Sequence, residues 1–325
     1  MTRLRIHPQW IEAYFIKRYN RFVMDLEREN RKIQAYLPNT GRMDEFLIPG
    51  NTFFLVPQQS GHLRYRVIGT LYQNNHVFLD TMKMNHIFKN LVRSNILAEF
   101  SNALSIQSEI SFLDSRFDFL IVDYQNQQNL VEVKSCTLCH NQVAMFPDAP
   151  TARGRKHLLT LEQAATNGYR VHVYYLVTNY SASTFLPNLH TDPAYGEIFL
   201  NCRKINFKVV KLHFTDPVTL AAEKSEEIRI RDIDFRQNSF NKGSYLLLLQ
   251  NDGDISIKIG ALGWRNFPAG YYVYVGSALH SLQARLKRHS RHDKRKHWHI
   301  DYITPNPMRI LRTWTIRRQD RIEEL

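Results

Sequence analysis

Turn-forming residues punctuate the first eighty positions so closely that only short extended runs fit between them. Pro38-Asn39-Thr40-Gly41 and Pro49-Gly50-Asn51 carry the residue types that favour tight turns. Around them lie Arg21–Glu27, Lys32–Leu37, Thr52–Val56, Leu63–Leu71 and Val77–Asp80, all rich in branched and aromatic side chains. Runs of this kind bounded by turns predict strands. Five such strands predict a small β-barrel of the OB type, assigned to residues 1–83.

The pattern changes at about Met84. Ile87, Phe88, Leu91, Val92, Ile96, Leu97 and Phe100 recur at helical spacing and predict one amphipathic helix. Phe117–Val122 and Leu130–Ser135 predict a strand pair, followed by a helix from Arg153 to Asn167 that Gly168 closes. Val171–Val177 and Phe207–Phe214 predict further strands, with a short helix over Pro193–Cys202 between them. Alternation of this sort predicts a mixed α/β sheet over residues 84–216. The mixed charge of residues 217–242 reads as a linker. Residues 243–325 form a third α/β region, with strands at Tyr245–Gln250, Ile255–Ile259, Tyr271–Gly276 and Ile310–Ile316 and a basic helix over Leu279–Ser290. The fold class expected is therefore a multidomain α/β (α+β) chain.

Charge narrows the partners. The 325 residues carry a net +13, and 43% of them are hydrophobic, an ordinary globular share. From Gly243 to Leu325 there are 14 Lys and Arg against 7 Asp and Glu, a net +7. Seven cations fall between Arg285 and Lys296. A field of this sign attracts polyanions, so DNA is the expected partner, with Arg288, Arg291, Arg295 and Lys296 as contacts. Three cysteines cannot build a disulfide framework, and no stretch approaches the apolar length of a membrane span. The start of the chain lacks the apolar core of a secretion signal, so a cytoplasmic, membrane-free location is expected.

One spacing suggests chemistry. Residues two apart on a strand share a face, so Glu132 and Lys134 project together, their Cα atoms roughly 6.5 Å apart. Asp118, on the neighbouring strand, can approach Glu132 laterally. Two carboxylates so placed can hold Mg2+ or Mn2+ through oxygen ligands, and a lysine beside them can counter charge at a phosphate. The alternative is a surface ion pair on a half-exposed strand. Cys136-Thr-Leu-Cys139-His140 matches the covalent haem pattern, but that chemistry needs export, so the cysteines read as strand and turn residues.

The surrounding blocks sharpen these readings. Lys17–Phe22 (KRYNRF), Pro38–Met43 (PNTGRM), SRFDF, VEVKS and FPDAPTARGRKH (Phe146 to His157) together resemble the sugar fermentation stimulation protein A family, over about Lys17 to Phe214. The resemblance implies an OB-like domain followed by a PD-(D/E)xK nuclease-like domain, with Asp118, Glu132 and Lys134 on the nuclease motif. It also implies DNA binding and a suggested regulatory role in sugar (maltose) metabolism. Arg116, Asp148, Arg153 and Lys156 fall on family blocks; Arg116, Arg153 and Lys156 are candidate nucleic-acid contacts. Arg153 and Lys156 open a predicted helix, a place that suits a phosphate.

The third region resembles the GIY-YIG nuclease superfamily, through Gly243-Ser244-Tyr245, Tyr274-Val275-Gly276 and the closing block His297-Trp298-His299-Ile300-Asp301-Tyr302. That resemblance implies that Tyr245 and Tyr274 orient or deprotonate water, that Arg285 stabilises phosphate and that Glu323 holds a metal. Ser244 stands where the pattern has Ile, and Glu323 lies two residues from the end. His297, His299 and Asp301 suggest zinc if the block is a strand, where His297 and His299 share a face, yet its Trp-Ile interleaving fits a core-anchoring element equally well. The overall expectation is a metal-dependent DNA phosphodiesterase; the alternative is a non-catalytic DNA-binding regulator.

Overall fold

The computed structural model describes residues 3–58, 61–231 and 241–317. Two compact units emerge: Met1–Asn188 with Ala194–Arg231, and Leu189–Pro193 with Asp232–Leu325. Among the described residues no helix is long and apolar enough to cross a membrane.

The first unit begins with a five-stranded barrel. Arg31–Tyr36, Val23–Arg28, Ile11–Asn20, Thr52–Pro57 and Tyr65–Tyr72 follow one another around it. The parallel rungs Ala35↔Tyr65 and Tyr36↔Arg66 close it, giving the OB-like topology expected. Alternate residues fill its interior, among them Ala13, Phe15, Met24, Leu26, Phe53, Leu55 and Val67. The long first strand, Ile11–Asn20, was not expected. Register shifts after Phe15 and after Arg18 interrupt its alternation, and its outward positions carry Tyr14, Ile16 and Tyr19. With apolar residues on both faces, no period of two is visible.

A six-stranded sheet follows, in the order Glu226–Glu227, Ile205–Lys211, Arg170–Val177, Gln128–Cys136, Ser115–Asp123, Ala103–Phe112. The middle strands Gln128–Cys136, Arg170–Val177 and Ile205–Lys211 run parallel. The helix Met84–Arg93 packs on one face through Ile87, Phe88, Leu91 and Val92 against Phe119, Val131, Val133 and Tyr174. The helix Ala152–Thr166 packs on the other through Leu158, Leu161 and Ala164, with Phe117, Leu130, Val173 and Tyr175. Tyr174 and Tyr175, adjacent in sequence, thus serve opposite cores, as strand geometry requires.

Two expectations change here. The helix read through Phe100 stops at Arg93, because Asn95 adopts a left-handed backbone; Ala98–Phe100 is a separate single turn. The stretch read as a linker from residue 217 belongs to the first unit as far as Arg231. Thr219–Ala221 pairs with Arg3–Arg5, Glu226–Glu227 with Val210 and Lys211, and Arg229–Ile230 with Thr184–Phe185. Its charged residues Glu223, Lys224, Glu226, Glu227 and Arg229 are exposed, while Leu220, Ala221, Ala222 and Ile228 between and before them are buried.

The second unit holds a three-stranded antiparallel sheet, in the order Gly270–Ala278, Gly243–Asn251, Arg309–Arg317. Tyr245, Leu247 and Leu249 point into its core beside Leu282, Ile300 and Met308. The basic helix is Leu282–His289, shorter than expected, because Ser281 caps it by accepting the Ala284 N–H at 3.1 Å. The HWHIDY block is neither strand nor α-helix: His299–Tyr302 forms a single 3-10 turn. The proposed Glu323 ligand lies outside the described residues.

Candidate functional site

The paired carboxylates meet where the central sheet parts. Antiparallel pairing between Ser115–Asp123 and Gln128–Cys136 runs from Val122↔Gln128 to Phe119↔Val131 and stops there. Beyond that rung the Asp118 side chain replaces the ladder, its Oδ2 accepting the Val133 N–H at 2.7 Å. Its Oδ1 accepts from Asn85 Nδ2 at 2.7 Å, on the helix Met84–Arg93. The strand changes face at this point, since Phe117 belongs to one core and Phe119 to the other. Burial, and then the neighbouring Glu132 charge, raise the Asp118 carboxyl above the usual carboxylate range.

Glu132 is more enclosed, with 4% of its surface exposed. Its Oε1 accepts from Lys134 Nζ, and from His157 Nδ1 at 2.7 Å. Arg153 Nε donates to His157 Nε2 at 3.3 Å, which leaves the ring proton on Nδ1 and aims it at Glu132. Burial pushes the Glu132 carboxyl up, but Lys134 and His157 outweigh it and hold the group ionised, below its ordinary value. Glu132 Oε2 is buried and accepts no hydrogen bond. A buried carboxylate oxygen without a donor is costly, so this atom marks a place for an electropositive group.

Both carboxylates open into a cleft of about 550 Å3, lined also by Arg21, Asn39, Gly41, Lys134, Asp148 and Arg153. Its barrel-side wall is built from the PNTGRM loop. Asp148 Oδ2 accepts the Met43 N–H at 2.9 Å and lies where a Cβ at Gly41 would meet it at 2.5 Å, so position 41 admits only glycine without a shift. Burial raises Asp148 and lifts nearby Glu45 to about 7.

Asp118, Glu132 and Lys134 are therefore brought together as the spacing predicts. Sequence reasoning missed Asn85 and His157. His157 ends the FPDAPTARGRKH block one helical turn after Arg153, a spacing that places both on one helix face. Of the other candidates, Arg153 lines the cleft, whereas Arg116 pairs with Glu109 and Lys156 with Asp114 at 2.8 Å, all on exposed surface. Cys136 and Cys139 are buried free thiols, and burial pushes both pKa values up.

In the second unit, Tyr245 is fully buried, with its hydroxyl 2.7 Å from His289 Nε2 and its ring 6.2 Å from that of Tyr274. Gly276 leaves room for it, since a Cβ there would meet the hydroxyl at 2.7 Å. Burial and then Tyr274 raise the Tyr245 phenol above its ordinary value. Burial lowers His289 to about 4. Arg285 lies 3.8 Å over the Trp298 ring and donates to the Ser277 carbonyl at 3.1 Å. Arg288 grips buried Asp301 with both nitrogens, at 2.8 and 2.9 Å, so it anchors the 3-10 turn. Asp301 Oδ2 also accepts the His297 and Trp298 N–H groups, which makes the HWHIDY block a core anchor in place of the zinc alternative. Arg291, Arg295 and Lys296 are exposed.

Comparison with known proteins gives three family matches along the chain. The sugar fermentation stimulation protein RE domain matches residues 82–216, the SfsA N-terminal OB domain residues 16–79, and domain of unknown function DUF123 residues 244–325. A sugar fermentation stimulation protein homolog of Desulforamulus reducens is 34% identical over 191 residues, covering 58% of this chain and 80% of the relative. That of Methanothermobacter thermautotrophicus is 34% identical over 222 residues, covering 68% and 90%. Among solved structures, Pyrococcus furiosus SfsA in complex with Ca2+ superposes with a TM-score of 0.66 at 26% identity, over 71% of this chain and 100% of that one.

Proposed function

The chain belongs to the sugar fermentation stimulation protein family, and from that membership we propose that it binds DNA and cleaves phosphodiesters at Asp118, Glu132 and Lys134 with a divalent cation. The observation that carries this reading is the unpartnered, buried Oε2 of Glu132 beside the raised carboxyl of Asp118. Among the described residues no three His, Cys, Asp or Glu side chains converge. The donor set is then two carboxylates, which suits Mg2+ or Mn2+, ions that keep waters and share phosphate oxygens. That the Pyrococcus furiosus relative was solved with Ca2+, another oxygen-seeking cation, supports the same donor chemistry. A divalent cation held there supplies charge neutralisation for a phosphoryl group and acidifies water.

The protein's own part is positional. Val133 and Asn85 hold Asp118, His157 holds Glu132, and the Lys134 ammonium faces the cleft, where it counters charge on a phosphate. A second reading, a non-catalytic DNA-binding regulator of sugar (maltose) metabolism genes, draws on one fact: Lys134 already closes on Glu132 and neutralises it. The two separate cleanly. Purified protein is incubated with single-stranded, duplex and branched DNA in Mg2+, Mn2+ or EDTA, and cation binding is followed by calorimetry. We expect Lys134→Ala to lose cleavage and keep its cation affinity, and Asp118→Ala to lose both. Equal affinity in Asp118→Ala and wild type overturns the site. DNA binding without cleavage in any condition selects the regulator.

A further inference from the structure

The barrel's first hairpin ends in a feature that neither folding nor the two carboxylates require. Tyr19 is 67% exposed and Phe22 47% exposed, two large rings three residues apart at one hairpin end. Tyr19 sits at a register shift between Arg18 and Asn20, so no ladder partner calls for an aromatic there. The backbone around the rings is nevertheless fixed. Phe22 N–H donates to Asn20 Oδ1 at 2.8 Å, and the Phe22 carbonyl accepts Leu37 N–H at 2.8 Å.

Arg18 ties this hairpin to the cleft. Its guanidinium donates to the carbonyls of Arg21 at 2.9 Å, Asn39 at 3.1 Å and Gly41 at 2.6 Å. Asn39, Gly41 and Arg21 all line the same cleft as Asp118 and Glu132. The residues from Lys17 to Phe22 include three cations and no acid. Lys17 lies 3.9 Å from Asp25, whose closer partner is Lys32 at 2.8 Å.

We propose that Tyr19 and Phe22, with Lys17 and Arg21, form a stacking lip that takes single-stranded DNA and leads it into the Asp118–Glu132 cleft. The inference rests on the DNA reading above and adds the substrate class. Rings recognise bases by their flat faces, and a duplex hides those faces inside its stack. Cations beside the rings track the phosphates of the same strand. Because the backbone is already held, little ordering cost is left at binding. An apolar protein partner would gain nothing from the exposed Lys17 and Arg21 that neighbour the two rings in the chain.

The test uses the full chain in EDTA, with a dye-labelled single strand of about 15 nucleotides, near the upper site size for one OB fold, and the same sequence as a duplex. Anisotropy should give tighter binding to the single strand. Tyr19→Ala and Phe22→Ala should each weaken single-strand binding about tenfold, and duplex binding far less. Tyr19→Phe should bind as wild type does, because the flat face remains, whereas Tyr19→Leu should behave like Tyr19→Ala. A 2-aminopurine in the strand should be quenched by wild type and not by the double alanine variant. Unchanged single-strand affinity in that variant, or equal wild-type affinity for strand and duplex, overturns the lip and leaves DNA binding standing. No binding to either DNA overturns both.

Discussion

At the scale of single residues, the site is a set of burial costs accepted at chosen atoms. Asp118 carries a raised carboxyl pKa, so the folded protein binds its proton more readily than the unfolded chain does. Stability from this group therefore falls as pH rises from the ordinary carboxylate range through the raised value. Asp118→Asn removes that loss, and Asn85 can reverse its amide to accept from the new side chain. We expect Asp118→Asn to melt above wild type at pH 7 without metal, the gap closing as pH falls below the ordinary carboxylate range. Adding Mg2+ at a hundred times its dissociation constant should then stabilise wild type by about 2.7 kcal/mol and leave the variant where it was. Thermal melts across pH, with and without Mg2+, read both effects. A variant that melts below wild type at every pH would contradict the cost assigned to Asp118.

Elements explain which cations are available to a ligand. The Leu282–His289 helix and the turn after it looked, in sequence, like one uniform basic stretch. Folding divides it, with Arg288 held on Asp301 and Lys296 Nζ 4.6 Å from the centre of the Tyr302 ring, while Arg291 and Arg295 stay in water. Asp301→Asn leaves Arg288 facing a neutral partner and should cost about 3 kcal/mol, seen as a lower melting point of the second unit. Burial pushes Asp301 up, but Arg288 and the two backbone donors hold it at about 2. Its contribution is therefore complete above the ordinary carboxylate range and is lost as pH falls towards 2. Neutralising Arg291, Arg295 and Lys296 should instead lower the melt by no more than the Lys296–Tyr302 contact, about 1 kcal/mol, and flatten the salt dependence of DNA binding, by roughly 0.9 in slope for each phosphate contact removed. An unchanged slope would remove these three from the interface.

The same division marks what the sequence could reveal. Strands dense in branched, aliphatic and aromatic residues between turn signals, such as Thr52–Pro57 and Gly243–Asn251, were legible even though both faces of the first are buried. Ala103–Phe112 was not, because as an edge strand it carries Ser, Gln and Glu over much of its length. Glu132 and Lys134 were legible because a strand has a fixed period. His157 and Asn85 reach the carboxylates from helices far along the chain, and no local period encodes that meeting.

On the scale of the whole molecule, all residues lining the cleft fall between Arg21 and Arg153, within the first unit. A chain ending after Arg231 should therefore melt cooperatively and keep the full Mg2+ shift, while losing whatever salt dependence the second unit's cations supply. Calorimetry and anisotropy on that shorter chain check the two halves of the expectation; a lost Mg2+ shift would tie the cleft to residues beyond 231. The strand Arg3–Arg5 has a further consequence, which concerns time. Its partner, Thr219–Ala221, lies more than two hundred residues downstream. At roughly 5–20 residues per second of synthesis, the first strand waits about ten to forty seconds for that partner to be made. The barrel can close long before then, since its strands all lie between Ile11 and Tyr72. Residues made ahead of the barrel are thus among the last in the first unit to find their place.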